Sequence, residues 1–141
     1  MRPPVGRLRV TAQPDPVQEL LDELLAVRGA TVAALVDGAG DLLASRAHDD
    51  DALERASALL TSALAAATAL GGLLPDDGGG PRPKQVMVNL DTGPLLFVPL
   101  SGSDRVVVVA VRDDADLGRA RLAVKGRLRR FEELTAGAAR A

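Results

Sequence analysis

ASALLTSALAAATALGGLLP, residues Ala56 to Pro75, carries no charged side chain. A helix start signal stands just before it. Asp51 suits the N-cap, and Glu54 follows at capping-box spacing. Along the predicted helix Leu53, Leu60, Leu64 and Ala67 form one apolar stripe, and Leu59, Ala63, Ala66 and Leu70 form a second beside it. The polar groups of the run are the small hydroxyls of Ser57, Thr61, Ser62 and Thr68. A helix on the surface of a monomer keeps charges on its outer face, so this one calls for cover on more than one side. A bilayer is a poor cover. The run is long enough to span one, but alanine, hydroxyls and two glycines make it weakly apolar. A chain of 141 residues leaves little material to wrap the helix entirely. The expectation is that one stripe packs on a sheet and the other on a second subunit, with small side chains allowing close approach.

The length fits one domain. We expect a flexible arm over 1–14, a folded domain over 15–135 and a short tail over 136–141. The net charge of −2 argues against an electrostatic nucleic-acid binder. Phe97 and Phe131 are the only aromatic residues, which removes the stacking platforms of single-strand recognition. The absence of cysteine removes disulfides, thiolate metal sites and thiol nucleophiles. MRPPVGRLRV lacks the apolar core of a signal peptide, so the expected compartment is the cytoplasm. Its Arg2, Arg7 and Arg9 could touch an acidic partner, but a solvated tail is the preferred reading.

Asp15-Pro16 starts the first helix, with Asp at the N-cap, Pro at N1 and Gln18 at capping-box distance. Val17, Leu20, Leu21, Leu24 and Val27 form its buried face. Glu19, Asp22 and Glu23 face water, and Gly29 ends the helix in the C′ position. ATVAALVD, Ala30 to Asp37, reads as a strand apolar on both faces, hence central. Gly38-Ala39-Gly40 turns the chain and Asp41 to Ser45 returns as a hairpin partner. The GAG is a turn and not a phosphate loop, because no helix follows it. His48-Asp49-Asp50-Asp51 could be imagined as a metal cluster. A solvated loop whose last Asp caps the long helix explains it with less.

After the long helix, PDDGGGPRP (Pro75 to Pro83) reads as a flexible loop. Lys84 to Leu90 alternates Val86, Val88 and Leu90 against Gln85, Met87 and Asn89, the pattern of an edge strand with one wetter face. Asp91-Thr92-Gly93 reads as a three-residue hairpin loop with a left-handed glycine. PLLFVPL (Pro94 to Leu100) is the next strand, and RVVVVAVR (Arg105 to Arg112) is apolar on both faces and central. Asp116 is the expected N-cap of one last helix. Leu117, Ala120, Val124, Leu128, Phe131 and Leu134 form its buried stripe, and Arg119, Arg121, Lys125, Arg127, Arg129 and Arg130 its outer face. Gly137 and small residues end the chain.

The order α-β-β-α-β-β-β-α gives an α+β fold: a single five-stranded antiparallel sheet with helices on both faces, the first and last helices on one side and the long helix on the other. This pattern resembles the roadblock/dynein-light-chain family, of roadblock/profilin-like architecture. The resemblance is carried by Val27-Arg28-Gly29-Ala30, Ala33 to Asp37, Gly40, Leu42-Leu43-Ala44, Val107 to Val111 and Asp116 to Leu122, within a match from Val17 to Leu134. It implies dimerisation through the middle helix and the adjoining edge strand. By position these are Leu53, Ala56, Leu59, Leu60, Ala63, Ala66, Ala67, Leu70, Val86 and Val88. It implies a non-catalytic, homodimeric regulator or scaffold of a small Ras-like GTPase, without cofactor or metal. Arg46 and Arg55, taken to lie near the middle helix, are the candidate partner-contacting residues. The alternative is a small-molecule sensor or a self-assembling signalling platform without a GTPase partner. An enzyme is disfavoured by the single histidine, the lack of cysteine and the lack of a nucleotide loop. Nucleic-acid binding would rest on the basic last helix alone, and membrane insertion is not expected.

Overall fold

In the computed structural model, which describes residues 15–47, 62–75 and 83–140, Asp15 caps the first helix. Its carboxylate accepts from the Val17 N–H at 3.0 Å and Pro16 occupies the first turn. This helix, α1 (Pro16–Leu25), buries Leu20, Leu21 and Leu24. The amide oxygen of Gln18 has no hydrogen-bond partner among the described residues, so no capping box closes. The helix ends at Leu25 with Ala26 still right-handed, earlier than expected. Gly29, with φ +85°, instead shapes the turn into β1 (Ala30–Val36).

β1 and β2 (Leu42–Ala47) form the first hairpin. One carboxylate oxygen of Asp37 accepts from the N–H groups of both Ala39 and Asp41 at 2.9 Å, and Gly40 takes φ +89°. The Asx turn explains why Asp37 ends the strand. The middle helix, α2, is helical over residues 62–70 and tightens into a 3-10 turn at Gly71–Leu73. β3 (Val86–Leu90), β4 (Gly93–Pro99) and β5 (Val106–Val111) follow as a meander. The β3–β4 loop has two residues, not three: Leu90 pairs with Gly93, leaving Asp91 and Thr92. Gly93, at φ +138°, takes the left-handed sign expected of it, and a side chain there would overlap the Val111 carbonyl.

The strands order as β2-β1-β5-β4-β3, antiparallel throughout. The two strands that read as apolar on both faces, β1 and β5, are interior. The alternating strand β3 is an edge, as its pattern predicts. Period-two alternation divides the core between the faces. On one face Ala33, Leu35, Leu96, Val98, Val107, Val109 and Val111 pack under Leu20, Leu21, Leu24, Ala120, Val124 and Phe131. On the other, Ala34, Val36, Phe97, Val106 and Val108 meet Ala63 and Leu64 of α2. The expected layering therefore holds.

The C-terminal helix is two helices, α3 (Asp114–Lys125) and α4 (Leu128–Arg140). The Gly126 N–H closes α3 on Leu122 at 2.9 Å, and Arg127 bonds back only to Val124. Arg127 therefore leaves the outer face expected for it. Its guanidinium donates to the Ala123 carbonyl at 2.9 Å and to Glu23 at 2.7 Å, tying the break to α1. The buried stripe survives the break, because Leu128, Phe131 and Leu134 still pack on the first core cluster. The backbone stays helical past Gly137 to Arg140. Asp113, not Asp116, precedes the first turn of α3. Asp116 is buried inside that turn, 3.3 Å from Arg119 and so close to Gly29 that a methyl there would collide with its carboxylate.

Two exposed carboxylates pin loops. Glu132 accepts from the Ser101 N–H at 3.0 Å, and Asp104 from the Gly38 N–H at 3.0 Å. The Gly38 N–H first, then the Arg105 side chain, hold the Asp104 carboxyl below its ordinary value of 3.8. A lowered folded pKa stabilises the fold above the unfolded pKa, and this contribution is lost as pH falls through the folded value. Solvent screening limits it to under about 1 kcal/mol. Asp104→Asn, which removes the charge and keeps an acceptor, should lower stability by that amount at neutral pH. The gap from the native chain should close as urea titrations are repeated down to and below pH 3.8. A gap of constant size across that range would refute the assignment.

Candidate partner-binding surface

α2 lies with one side on the sheet and one side open. Ala63 and Leu64 are half-buried against the second core cluster, and Ala67 is half-buried as well. Ala66 is exposed and Leu70 is 64% exposed. The Thr68 hydroxyl turns back to the Leu64 carbonyl at 3.0 Å, which removes a polar group from the open side. Just beyond, Leu73 and Leu74 are 83% and 69% exposed. β3 adds an edge unpaired among the described residues and Leu90, 51% exposed. Large apolar side chains left in water beside a free strand edge mark an interaction surface.

The expected interface residues separate on these coordinates. Leu53, Ala56, Leu59 and Leu60 lie outside the described residues, as do Arg55, the His48–Asp51 cluster, the 1–14 arm and most of the glycine-proline loop. Ala66 and Leu70 are on the open side. Ala63 was expected in the outward stripe but packs on its own sheet, as do Val86 and Val88, which are half-buried in the second core cluster. Leu73, Leu74 and Leu90 were not in the expected set. The signal for the first two was present: they close the charge-free run after its two glycines. Leu90 is the third member of the alternating face of β3.

Arg46 is not near the middle helix. Leu35 pairs with Ala44 and Val36 with Leu42, so Leu43 is bulged out of the β1–β2 ladder. The bulge sends Leu42 to the α2 face and Ala44 to the α1 face. Arg46, opposite Ala33, follows Ala44 and pairs with Asp22 of α1 at 2.7 Å. Among the described residues, no group of three His, Cys, Asp or Glu side chains could hold a metal ion. Among them too, no helix is long and apolar enough to cross a membrane.

A family model for the Roadblock/LC7 domain matches residues 16–110. The chain belongs to the Roadblock/LC7 family. This Roadblock/LC7 chain superposes on solved structures of similar architecture. Against MglB of Myxococcus xanthus the TM-score is 0.71 at 22% identity, over 86% of this chain and 95% of that one. Against the gliding protein MglB of Thermus thermophilus it is 0.70 at 25% identity, over 86% and 91%. An MglB with a tetrameric arrangement gives 0.68 at 26% identity, over 86% and 90%. No curated protein matches the sequence. The first of these similarities speaks for the fold, which is that of a roadblock domain: a five-stranded antiparallel sheet between helical layers.

Proposed function

We propose that this Roadblock/LC7 chain is a non-catalytic, homodimeric regulator or scaffold of a small Ras-like GTPase, working in the cytoplasm. The observation that carries the reading is the open side of α2, where Ala66, Leu70, Leu73 and Leu74 face water, together with the place of β3 at the end of the sheet among the described residues. A second copy placed there would cover these side chains and allow two sheets to join edge to edge. That is the dimer which the family resemblance implies, and the tetrameric arrangement of a similar MglB supports self-association.

The GTPase assignment rests on the same family resemblance. Its mechanism would be differential binding: a dimer surface that fits one nucleotide state better shifts the switch loops toward that state. The shift can be no larger than the difference in affinity between the two states. Arg46, paired with Asp22, lies on the α1 face of the sheet and so away from the open side of α2.

The test is affinity capture from source lysate with a GTP analogue and with GDP in parallel, followed by protein identification. The expected result is recovery of a small GTPase in one nucleotide state. Recovery regardless of nucleotide would reduce the role to a passive scaffold. Recovery of no GTPase in either sample would overturn the assignment and leave a self-assembling platform.

A further inference from the structure

Helices α1, α3 and α4 do not cover their face of the sheet out to its edge. Between the α3–α4 break and β3 runs a groove of about 560 Å³ over the buried Leu96, Val98 and Val124, and its accessible apolar side chains are Leu122 and the half-buried Leu128. Met87, 46% exposed, pairs with Leu96 and extends the floor along β3. Leu122, on the outer wall, is 71% exposed. A second hollow shares Lys84, Val98 and Leu128 with the groove and prolongs it toward Ser101.

The charges around this groove are of one sign. Lys84, Arg121 and Lys125 line it with no carboxylate among the described residues, and Glu132, in the prolongation, already accepts from the Ser101 N–H. Like Arg28, Arg112 and Arg130, these three cations have no ion-pair partner among the described residues. Arg121 and Lys125 stand four residues apart on α3, a spacing at which like charges repel. The hollow at the other end of α3 is different: its Arg28, Arg112 and Arg119 share it with Asp113 and Asp116, so its charge is largely balanced. In a chain of net charge −2, a trough lined by these three cations is a local exception.

We propose that this groove docks an acidic amphipathic helix of a partner protein. Apolar side chains at helical spacing would lie on Met87, Leu122 and Leu128, and flanking carboxylates would meet Lys84, Arg121 and Lys125. A helix fits better than an added strand, because the trough lies on the face of the sheet and not along the backbone edge of β3. The groove and α2 are on opposite faces of the sheet, so this inference stands whether or not the GTPase reading does.

The probe is a labelled amphipathic peptide with a leucine face flanked by glutamates, titrated against the full chain by fluorescence anisotropy. Saturable binding is expected, weaker by about tenfold in Lys125→Glu and in Leu122→Glu and retained in Lys125→Arg. Both side chains are exposed, and thermal melts confirm folding; Lys84→Glu, across the groove, supplies a third test. Equal binding to the native chain and the glutamate variants would overturn the proposal. Binding of a leucine-free glutamate peptide as tight as the probe would also overturn it, as a diffuse polyanion effect. So would binding of phosphatidylglycerol vesicles, lost in the same variants, with no binding of the peptide, because the groove would then face a membrane.

Discussion

Phe131→Ala should cost about 3–5 kcal/mol of folding stability. The ring is fully buried, and it packs with Leu20, Leu21 and Leu24 of α1 above the β4–β5 surface. Its helix begins only after the Gly126–Arg127 break, where the Phe131 N–H bonds to the Arg127 carbonyl at 3.0 Å. The site is bounded by a sheet and by helices already tied together through Arg127 and Glu23. It cannot collapse freely around the cavity, which places the cost toward the upper part of the range. Domains of this size are stable by only about 5–15 kcal/mol, so the variant would lose a large share. Urea unfolding midpoints of Phe131→Ala, Leu134→Ala and Arg130→Ala measure this directly. Leu134 is half-buried and Arg130 exposed, so the losses should fall in that order. A midpoint for Phe131→Ala close to that of Arg130→Ala would mean that α4 is not docked as described.

The layers of this fold were legible because each strand carries its environment in its pattern. A strand apolar on both faces, such as RVVVVAVR, has no stable place except between neighbours and under helices. The alternation of Val86, Val88 and Leu90 against Gln85, Met87 and Asn89 suits an edge. What stayed hidden depends on single residues that interrupt a period. Straight alternation from Leu42 puts Ala44 and Arg46 beside it, under the middle helix. One bulged residue, Leu43, reverses the faces and delivers Arg46 to Asp22 instead.

The last helix shows the same limit. Its buried stripe is continuous in sequence, so nothing in the periodicity marks a break. Arg127 looks like one more solvated cation until Glu23, distant in the chain, comes within 2.7 Å. Asp113, Asp114 and Asp116 all suit a helix start, and the structure begins the helix at Asp114, which leaves Asp116 inside the first turn against Gly29. On α2 the heptad-like stripes were visible, but their rotation about the helix axis was not. Ala63 turned out to serve the sheet, while the turn after the helix exposes Leu73 and Leu74.

Leu70→Arg should weaken self-association by about a hundredfold or more, or ~3 kcal/mol, if the open side of α2 is the dimer contact. Leu70 is 64% exposed in the isolated chain, so an arginine there keeps its hydration and the fold is preserved. In a dimer built on this surface the guanidinium would be taken out of water, next to Ala66 and Leu73, without a carboxylate to meet it. A buried charge left unpaired costs several kcal/mol, more than a moderate interface can absorb. Ala66→Arg should act in the same direction through steric exclusion, since small side chains are what would let two such helices approach. Leu43→Arg is the matched control. It places the same charge on an exposed leucine of β2, the edge of the sheet opposite to β3. Sedimentation equilibrium over a range of concentrations separates the outcomes. Monomers for Leu70→Arg and Ala66→Arg, with Leu43→Arg indistinguishable from the native chain, would place the contact on α2. Dissociation by Leu43→Arg alone would move it to the β2 edge. A native chain that is monomeric at every concentration would remove the dimer, and with it the explanation for a helix whose outer side carries no charge.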